Sequence, residues 1–189
     1  MLAVGQQIPA SLAAAEVLDT AGGTHALASR WRDRDAVIAF VRHFACAGCA
    51  EHGAALRPRL GELAAIGVGV TIVGSGNPDQ LAAFVAREQL DATVACFTDP
   101  TLAAYRAAEL HRSWWGTVGP RALGQLATAY LHGHRNSPVE GDHTQQGGTL
   151  YVTRAGVVAL YHRARSLGDH AALVDIVDVA LASRAAEVA

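Results

Sequence analysis

The sequence predicts an α/β fold in which helices cover a central mixed sheet on both faces, giving a three-layer sandwich. Two observations predict it. Apolar, strand-like runs alternate with helix-like segments along most of the chain, and a hairpin pattern precedes the last helix. The chain has 189 residues, of which 51% are hydrophobic, and a chain of this size buries a core without disulfide or metal cross-links. At about 100–200 residues per domain, we expect one domain over residues 1–189.

The first predicted elements alternate between strand and helix. We expect an N-terminal hairpin over residues 16–27, because Gly22-Gly23 supplies a turn between two short strand-like segments. The continuous apolar run within 35–44 is typical of a strand that is buried on both faces. Leucines at helical spacing then predict a helix over 50–65.

Two more buried strands are predicted by apolar runs at 67–73 and 92–98, and each leads into a helix. After the first of them, Asn77 is suited to cap a helix that has Pro78 at its first position. After the second, Asp99 is the expected N-cap. The two predicted helices span 78–90 and 100–110.

The last part of the chain is expected to begin with an irregular insertion over 111–148. A hairpin formed by 149–153 and 157–162 adds an antiparallel edge to the sheet. We expect a closing helix over 169–183. Its predicted inward-facing residues are Leu173, Ile176, Val177 and Leu181.

Charge and composition exclude several classes of function. The 15 basic and 17 acidic residues give a net charge of −2 without a basic block, which argues against nucleic-acid or membrane-surface binding. Every basic residue is arginine, so a lysine Schiff base is excluded. No apolar stretch reaches the roughly 18–20 residues of a membrane helix. The first 15 residues lack a basic leader segment, so we expect a cytoplasmic protein.

The motif with the clearest chemistry is Cys46-Ala47-Gly48-Cys49, at the junction of the first buried strand and the first long helix. A cysteine pair at this junction is typical of thioredoxin-like folds and favours redox chemistry. Unpaired amide groups at a helix N-terminus stabilise a thiolate on Cys46. Cys49, three residues later, is placed to attack a mixed disulfide or sulfenic acid formed on Cys46.

A zinc site is the alternative for the same residues. His43, Cys46, Cys49 and His52 are evenly spaced by three residues, and Zn²⁺ takes four nitrogen or sulfur ligands. The third cysteine, Cys96, lies in a buried strand pattern and is expected to act as a small core residue. Gly74-Ser75-Gly76 is interpreted as a strand-to-helix turn, because the third glycine of a phosphate-binding loop is missing.

Several motifs together resemble the peroxiredoxin-like AhpC/TSA group, in the branch of the peroxiredoxin-like-two and prostamide synthase-like proteins. The segment Phe40–Cys49 is similar to that group's FxRxxxCxxC pattern, and the similarity continues over most of residues 5–180. The other matching segments are 73–78, Thr98-Asp99-Pro100 with Tyr105-Arg106, Gln146–Leu150 with Gly156, and Gly168-Asp169-His170.

The resemblance implies a thioredoxin-like fold and a thiol-dependent oxidoreductase. Cys46 would be the attacking thiol and Cys49 the resolving thiol, acting on a peroxide or a disulfide. The resemblance implies no bound cofactor: an external thiol, of thioredoxin type or of low molecular weight, or an NADPH-linked system would restore the pair. A homodimer is left open. Among the remaining residues, Arg42 is a candidate to stabilise the thiolate, with a surface or ion-pair arginine as the equal alternative. The candidates for substrate binding are His43, Gly148 and Trp115.

The chain departs from two related patterns. Peroxiredoxins carry proline and a hydroxyl residue seven and three positions before the attacking cysteine, where this chain has Ala39 and His43. Thioredoxins place a cis-proline where this chain has Gly148. Two other functions therefore stay open: a specialised organic peroxide or endoperoxide reductase whose insertion shapes an apolar pocket, and a non-catalytic binding or zinc-holding module.

Overall fold

The computed structural model describes residues 2–44, 62–90, 92–114, 144–166 and 169–188. Seven strands occur in these ranges: β1 (Glu16–Leu18), β2 (Thr24–Ala26), β3 (Ala36–Phe40), β4 (Gly69–Gly74), β5 (Val94–Thr98), β6 (Gly148–Val152) and β7 (Val158–Arg163). They form one sheet in the order β2-β1-β5-β4-β3-β6-β7. β3, β4 and β5 are parallel to one another, and the remaining pairings are antiparallel. The predicted mixed sheet and both hairpins are therefore confirmed.

Helices pack on both faces of this sheet. The described helices are α1 (Ala10–Ala13), α2 (Pro78–Arg87), α3 (Ala103–Ala107) and α4 (Leu173–Val188), with a 3-10 turn at Leu27–Arg30 and a helical turn at 62–65. One core cluster joins Ile38 of β3 to Leu12 of α1 and Tyr105 of α3. The other joins Val37 of β3 to Phe84 of α2 and Ile176 of α4. Because β3 is buried on both faces, the predicted three-layer arrangement is confirmed.

The start of α2 follows the sequence prediction closely. The Asn77 side chain accepts a hydrogen bond from the Gln80 amide at 2.9 Å, and the Gln80 side chain accepts one from the Asn77 amide at 2.9 Å. Pro78 occupies the first helical position, where a missing N–H group costs nothing. This reciprocal capping satisfies two amides that the helix itself leaves unpaired.

The prediction for α3 was wrong in extent. A helix was expected over 100–110, but α3 begins at Ala103 and ends at Ala107. Leu102 and Glu109 adopt positive φ angles of 57° and 52°, and a left-handed residue interrupts a right-handed helix. The Asp99 carboxylate still caps this region, because it accepts a hydrogen bond from the Ala104 amide at 2.7 Å.

The closing helix was predicted over 169–183, but α4 begins at Leu173 and ends at Val188. Asp169 instead belongs to the preceding turn, where its carboxylate accepts a hydrogen bond from the Arg165 amide at 2.8 Å. Leu181, expected to face inward, is 51% exposed, whereas Ile176 and Ala180 are buried. Ile176 and Ala180 lie four residues apart and therefore share one face of the helix. Ala180, and not Leu181, faces the core.

Helix α1 and the 3-10 turn were not predicted. Each has four residues, and neither has a side-chain hydrogen bond at its N-cap. Such short elements carry no periodic signal in the sequence. Within the described ranges, no helix combines the length and the apolar character needed to cross a membrane.

Candidate functional site

Residues 41–44 lead from the end of β3 toward Cys46, and they form the described part of the candidate site. Phe40, the last residue of β3, pairs with Val73 of β4 on one side and with Gly148 of β6 on the other. Four of the residues predicted for catalysis, substrate binding or metal binding lie outside the described ranges. They are Cys46, Cys49, His52 and Trp115.

Val41 continues the sheet by one residue and is fixed at both backbone groups. Its amide donates a hydrogen bond to the Val73 carbonyl oxygen at 2.9 Å. The hydroxyl of Tyr105 lies 2.5 Å from the Val41 carbonyl oxygen and 3.0 Å from that of Val73. Tyr105 is fully buried in α3, so this helix ties together the ends of two central strands.

Arg42 is a buried cation. Only 6% of the residue is exposed, and its Nε donates a hydrogen bond to the Gln145 carbonyl oxygen at 3.2 Å. Its own carbonyl oxygen accepts a hydrogen bond from the Ser75 hydroxyl at 2.6 Å. Burying a guanidinium group is costly unless its donors are paired. Its burial excludes the interpretation of Arg42 as a solvent-exposed surface arginine.

The turn after β4 acts as a structural support for this segment, as its sequence predicts. The Thr98 hydroxyl donates a hydrogen bond to the Gly76 carbonyl oxygen at 2.7 Å, so β5 fixes the turn that carries Ser75. Gly74 leaves space for the ring of Phe44, since a Cβ atom at this position would overlap that ring. The glycines here therefore serve close packing.

Phe44 is held by α2. Its carbonyl oxygen accepts a hydrogen bond from Nη2 of Arg87 at 2.8 Å, and its ring centroid lies 5.2 Å from that of Phe84. The Arg87 Nε in turn donates to the Glu88 carboxylate at 2.8 Å. Residues 41–44, which precede Cys46 in the chain, are therefore held by β4, by α2 and by the segment around Gln145.

His43 and Gly148 lie at the same edge of the sheet as Arg42. His43 is 5% exposed, so it is a buried residue. Gly148 lies opposite Phe40, and a Cβ atom there would lie 2.6 Å from Leu110 Cδ2 and 2.7 Å from the His162 carbonyl oxygen. The backbone at Gly148 therefore packs closely against Leu110 and β7, and a side chain does not fit there.

Gln145, whose carbonyl oxygen accepts the hydrogen bond from Arg42, was not predicted as a site residue. Gln145 is 1% exposed and directly precedes the Gln146–Leu150 motif. The two ends of the predicted insertion meet beside it. The Ser113 amide donates to the Thr144 carbonyl oxygen at 2.8 Å, and the Gln146 amide donates to that of His111 at 2.9 Å. The one feature of the sequence that pointed to Gln145 was its position directly before the Gln146–Leu150 motif.

Cys96 has the core environment that its sequence context predicts. It packs against the core cluster on the α2 face of the sheet, and burial raises the pKa of its thiol from 9.0 to about 12. Burial disfavours the thiolate, which is the reactive form of cysteine.

We therefore predict that Cys96 resists alkylation in the folded protein. With a pKa of about 12, about one thiol in 10,000 is ionised at pH 8, against about one in ten for a cysteine with the unshifted pKa of 9.0. Iodoacetamide labelling at pH 8, followed by peptide mass spectrometry, should modify Cys96 only after unfolding in guanidinium. Rapid labelling of Cys96 in the native protein would contradict the environment described here.

The described residues do not test the zinc alternative. No group of three or more histidine, cysteine or acidic side chains in the described ranges is arranged to hold a metal. Of the four proposed zinc ligands, only His43 lies in those ranges.

Comparison with known proteins matches residues 55–166 to the family model of the AhpC/TSA antioxidant enzymes, which is more than half of the chain. This match begins after Cys49. The thioredoxin-like protein AAED1 of Arabidopsis thaliana, a chloroplastic protein, is 32% identical over 155 residues, covering 78% of this chain and 62% of its own length. The prostamide/prostaglandin F synthase of Salmo salar is 29% identical over 160 residues, covering 79% of this chain and 76% of its own length.

Solved structures show the same fold. A mutant PrxQ of Xylella fastidiosa matches with a TM-score of 0.67 at 13% identity, over 100% of this chain and 99% of its own. Reduced Prx3 of Vibrio vulnificus, solved with hydrogen peroxide, matches with a TM-score of 0.69 at 15% identity, over 95% of this chain and 99% of its own. The architecture is therefore the thioredoxin-like fold of peroxiredoxins, as the sequence motifs imply.

Proposed function

Because this chain belongs to the AhpC/TSA antioxidant enzyme family, we propose that it is a thiol-dependent oxidoreductase that uses Cys46 and Cys49 to reduce a peroxide or a disulfide. The observation that carries the proposal is the anchoring of residues 41–44 at the end of β3. Ser75 holds the Arg42 carbonyl oxygen, Arg87 holds the Phe44 carbonyl oxygen, and the Gln145 carbonyl oxygen holds the Arg42 side chain. A nucleophile benefits from such support, because a reacting atom must be held in a defined geometry.

The proposed reaction with a peroxide ROOH has two steps on the protein. The Cys46 thiolate attacks one peroxide oxygen, the O–O bond breaks, and ROH leaves after protonation of the alkoxide, with Cys46 oxidised to a sulfenic acid. The Cys49 thiol then attacks the Cys46 sulfur, which forms a disulfide and releases water. Two external thiols reduce this disulfide by exchange and are themselves oxidised to a disulfide.

Arg42 is the proposed stabiliser of the Cys46 thiolate. Its charge is buried, and its Nε is fixed on the Gln145 carbonyl oxygen. A fixed positive charge near a thiol favours the ionised form, more strongly where water is excluded. Arg42 would thus raise the fraction of Cys46 that is reactive at neutral pH.

Replacing Arg42 with glutamine should shift the pH profile of peroxide reduction. We expect the midpoint of the pH–rate curve to rise by about one unit, with about tenfold less activity at pH 7 and recovery at alkaline pH. Stopped-flow measurement of thiol oxidation between pH 5 and 10 tests this. Arg42→Lys keeps the charge and is the matched control, expected to retain the lower midpoint. Equal midpoints in all three proteins would show that Arg42 has no electrostatic role.

His43 and the relatives bear on the proposed substrate class. A buried histidine stands where peroxiredoxins carry a hydroxyl residue, so the proposed peroxide site differs from theirs in its hydrogen-bonding group. The similarity to a prostamide/prostaglandin F synthase favours a second candidate, a reductase of an organic peroxide or endoperoxide. In that case residues 111–148, with Trp115 and Gly148 among them, would shape an apolar binding pocket.

The remaining assignments are proposals as well. We propose an external thiol donor, of thioredoxin type or of low molecular weight, with or without an NADPH-linked reductase, and no bound cofactor. We also propose a cytoplasmic location, although the Arabidopsis relative is a chloroplastic protein. A homodimer is a further proposal, and sedimentation would test it directly.

Turnover with three oxidants separates the candidate functions. Hydrogen peroxide, cumene hydroperoxide and a small-molecule disulfide would each be supplied with a dithiol donor, and zinc content would be measured on the same protein. Turnover with any of the three supports the proposed oxidoreductase, and a strong preference for cumene hydroperoxide supports the second candidate. Stoichiometric zinc, with no turnover of any oxidant, would overturn both.

A further inference from the structure

A polar cavity lies at the opposite end of β3 from residues 41–44. It has a volume of about 370 Å³, and Arg30, Arg34 and Thr71 are among the residues that line it. Gly69, which also lines the cavity, pairs with Ala36 at the start of β3, whereas the candidate redox segment follows the end of that strand. The cavity is within the range of about 300–1,000 Å³ that is usual for small-molecule sites.

Arg30 forms one fixed wall of the cavity. Its guanidinium carbon lies 4.9 Å from the ring centroid of Phe97, and its Nε donates a hydrogen bond to the Ser29 hydroxyl at 3.0 Å. That hydroxyl donates in turn to the Ala26 carbonyl oxygen at 2.7 Å. The stacked guanidinium group is therefore pre-organised, which reduces the entropy lost on binding a ligand.

Arg34 places a second positive charge at the same cavity. Burial and the charge of Arg34 both lower the pKa of Arg30, burial being the larger cause, so the two cations repel each other. Within the described parts of the chain, no carboxylate lies within ion-pair distance of Arg34. An anion between the two guanidinium groups would relieve this repulsion.

The floor of the cavity leaves room for a ligand and offers a hydroxyl group. It is formed by Gly69, Thr71 and Ala95, all with small side chains. Thr71 is 2% exposed, and no protein group in the described ranges makes a hydrogen bond with its hydroxyl. Asp33 also lines the cavity, so the ionised side chains of the lining carry two positive charges and one negative charge.

We propose that this cavity binds the phosphate group of a small organic phosphate, with Arg30 and Arg34 as its main ligands and Thr71 as a further hydrogen-bond donor. Guanidinium groups match the geometry of phosphate oxygens and donate charge-assisted hydrogen bonds to them. The cavity is larger than a lone phosphate ion requires, which leaves space for the organic part.

Isothermal titration with phenyl phosphate, at constant ionic strength, tests the proposal. We expect saturable binding to the wild type, about tenfold weaker binding to Arg34→Gln, and unchanged binding to Arg32→Gln. Arg32 is the matched control, because it is exposed and does not line the cavity. Asp33→Asn should bind about two- to threefold more tightly, because it removes a like charge.

The same variants define the results that would overturn the proposal. Both arginine variants leave the core intact, because each side chain is exposed, so their folding can be verified by circular dichroism. No saturable binding to the wild type, or equal affinity in Arg34→Gln and Arg32→Gln, would refute the site. Benzoate carries the same ring with a carboxylate, and binding of benzoate as tight as that of phenyl phosphate would refute the preference for phosphate.

Discussion

Replacing Cys46 with serine is expected to reduce peroxide turnover by at least about a hundredfold, because serine does not supply the thiolate nucleophile. Cys49→Ser should behave differently. Its Cys46 would still react once with peroxide, and the resulting sulfenic acid would persist long enough to be trapped by dimedone. Turnover assays with a dithiol donor and intact mass spectrometry distinguish the two outcomes.

Cys96→Ser is the matched control for both variants. It removes one thiol from a half-buried position whose high pKa makes it unreactive, so its turnover should equal that of the wild type. Full multiple turnover by Cys49→Ser would show that Cys49 is not the resolving thiol. Undiminished turnover by Cys46→Ser would show that the nucleophile is elsewhere.

Replacing Gly147 with alanine is expected to lower the free energy of unfolding by about 3 kcal/mol or more. A Cβ atom on Gly147 would overlap the carbonyl oxygen of Phe40, which is backbone and has no rotamer to escape into. The segment that carries Gln145 would have to move away from β3, and Arg42 would lose its fixed acceptor. Urea denaturation measures the loss.

Gly69→Ala is the matched control for this prediction. A Cβ atom at Gly69 would lie 3.0 Å from Nε of Arg34, a flexible side chain that can move aside. We expect a change in the free energy of unfolding of less than about 1 kcal/mol. Equal destabilisation by the two substitutions would show that the contact between Gly147 and Phe40 is not specific.

The sheet and its turns could be predicted because their signals are local. The apolar run that forms β3, the N-cap Asn77 with Pro78 after it and the turn at Gly156 are each visible within a few residues. The motif order likewise implied the family, which the family model matches over residues 55–166. Local chemistry therefore accounts for the fold class and for most strand positions.

The extent of α3 and the supports of the candidate site could not be predicted, because they depend on distant residues. Leu102 and Glu109 adopt left-handed conformations that no local residue preference required. The bond from Arg42 to Gln145 joins residues 103 positions apart in the chain. The roles of Cys46, Cys49 and Trp115 stay predictions, since those residues lie outside the described ranges.

The central claim is that Cys46 and Cys49 form a peroxide-linked redox couple. Intact mass and free-thiol counting on the reduced protein, before and after one equivalent of hydrogen peroxide, test it most directly. The chain has three cysteines, and we expect the wild type to lose two thiols and the mass of two hydrogen atoms, with Cys96 left as the free thiol. Cys46→Ser should form no such disulfide. A wild-type protein that keeps all three thiols and an unchanged mass would contradict a peroxide-linked couple of Cys46 and Cys49.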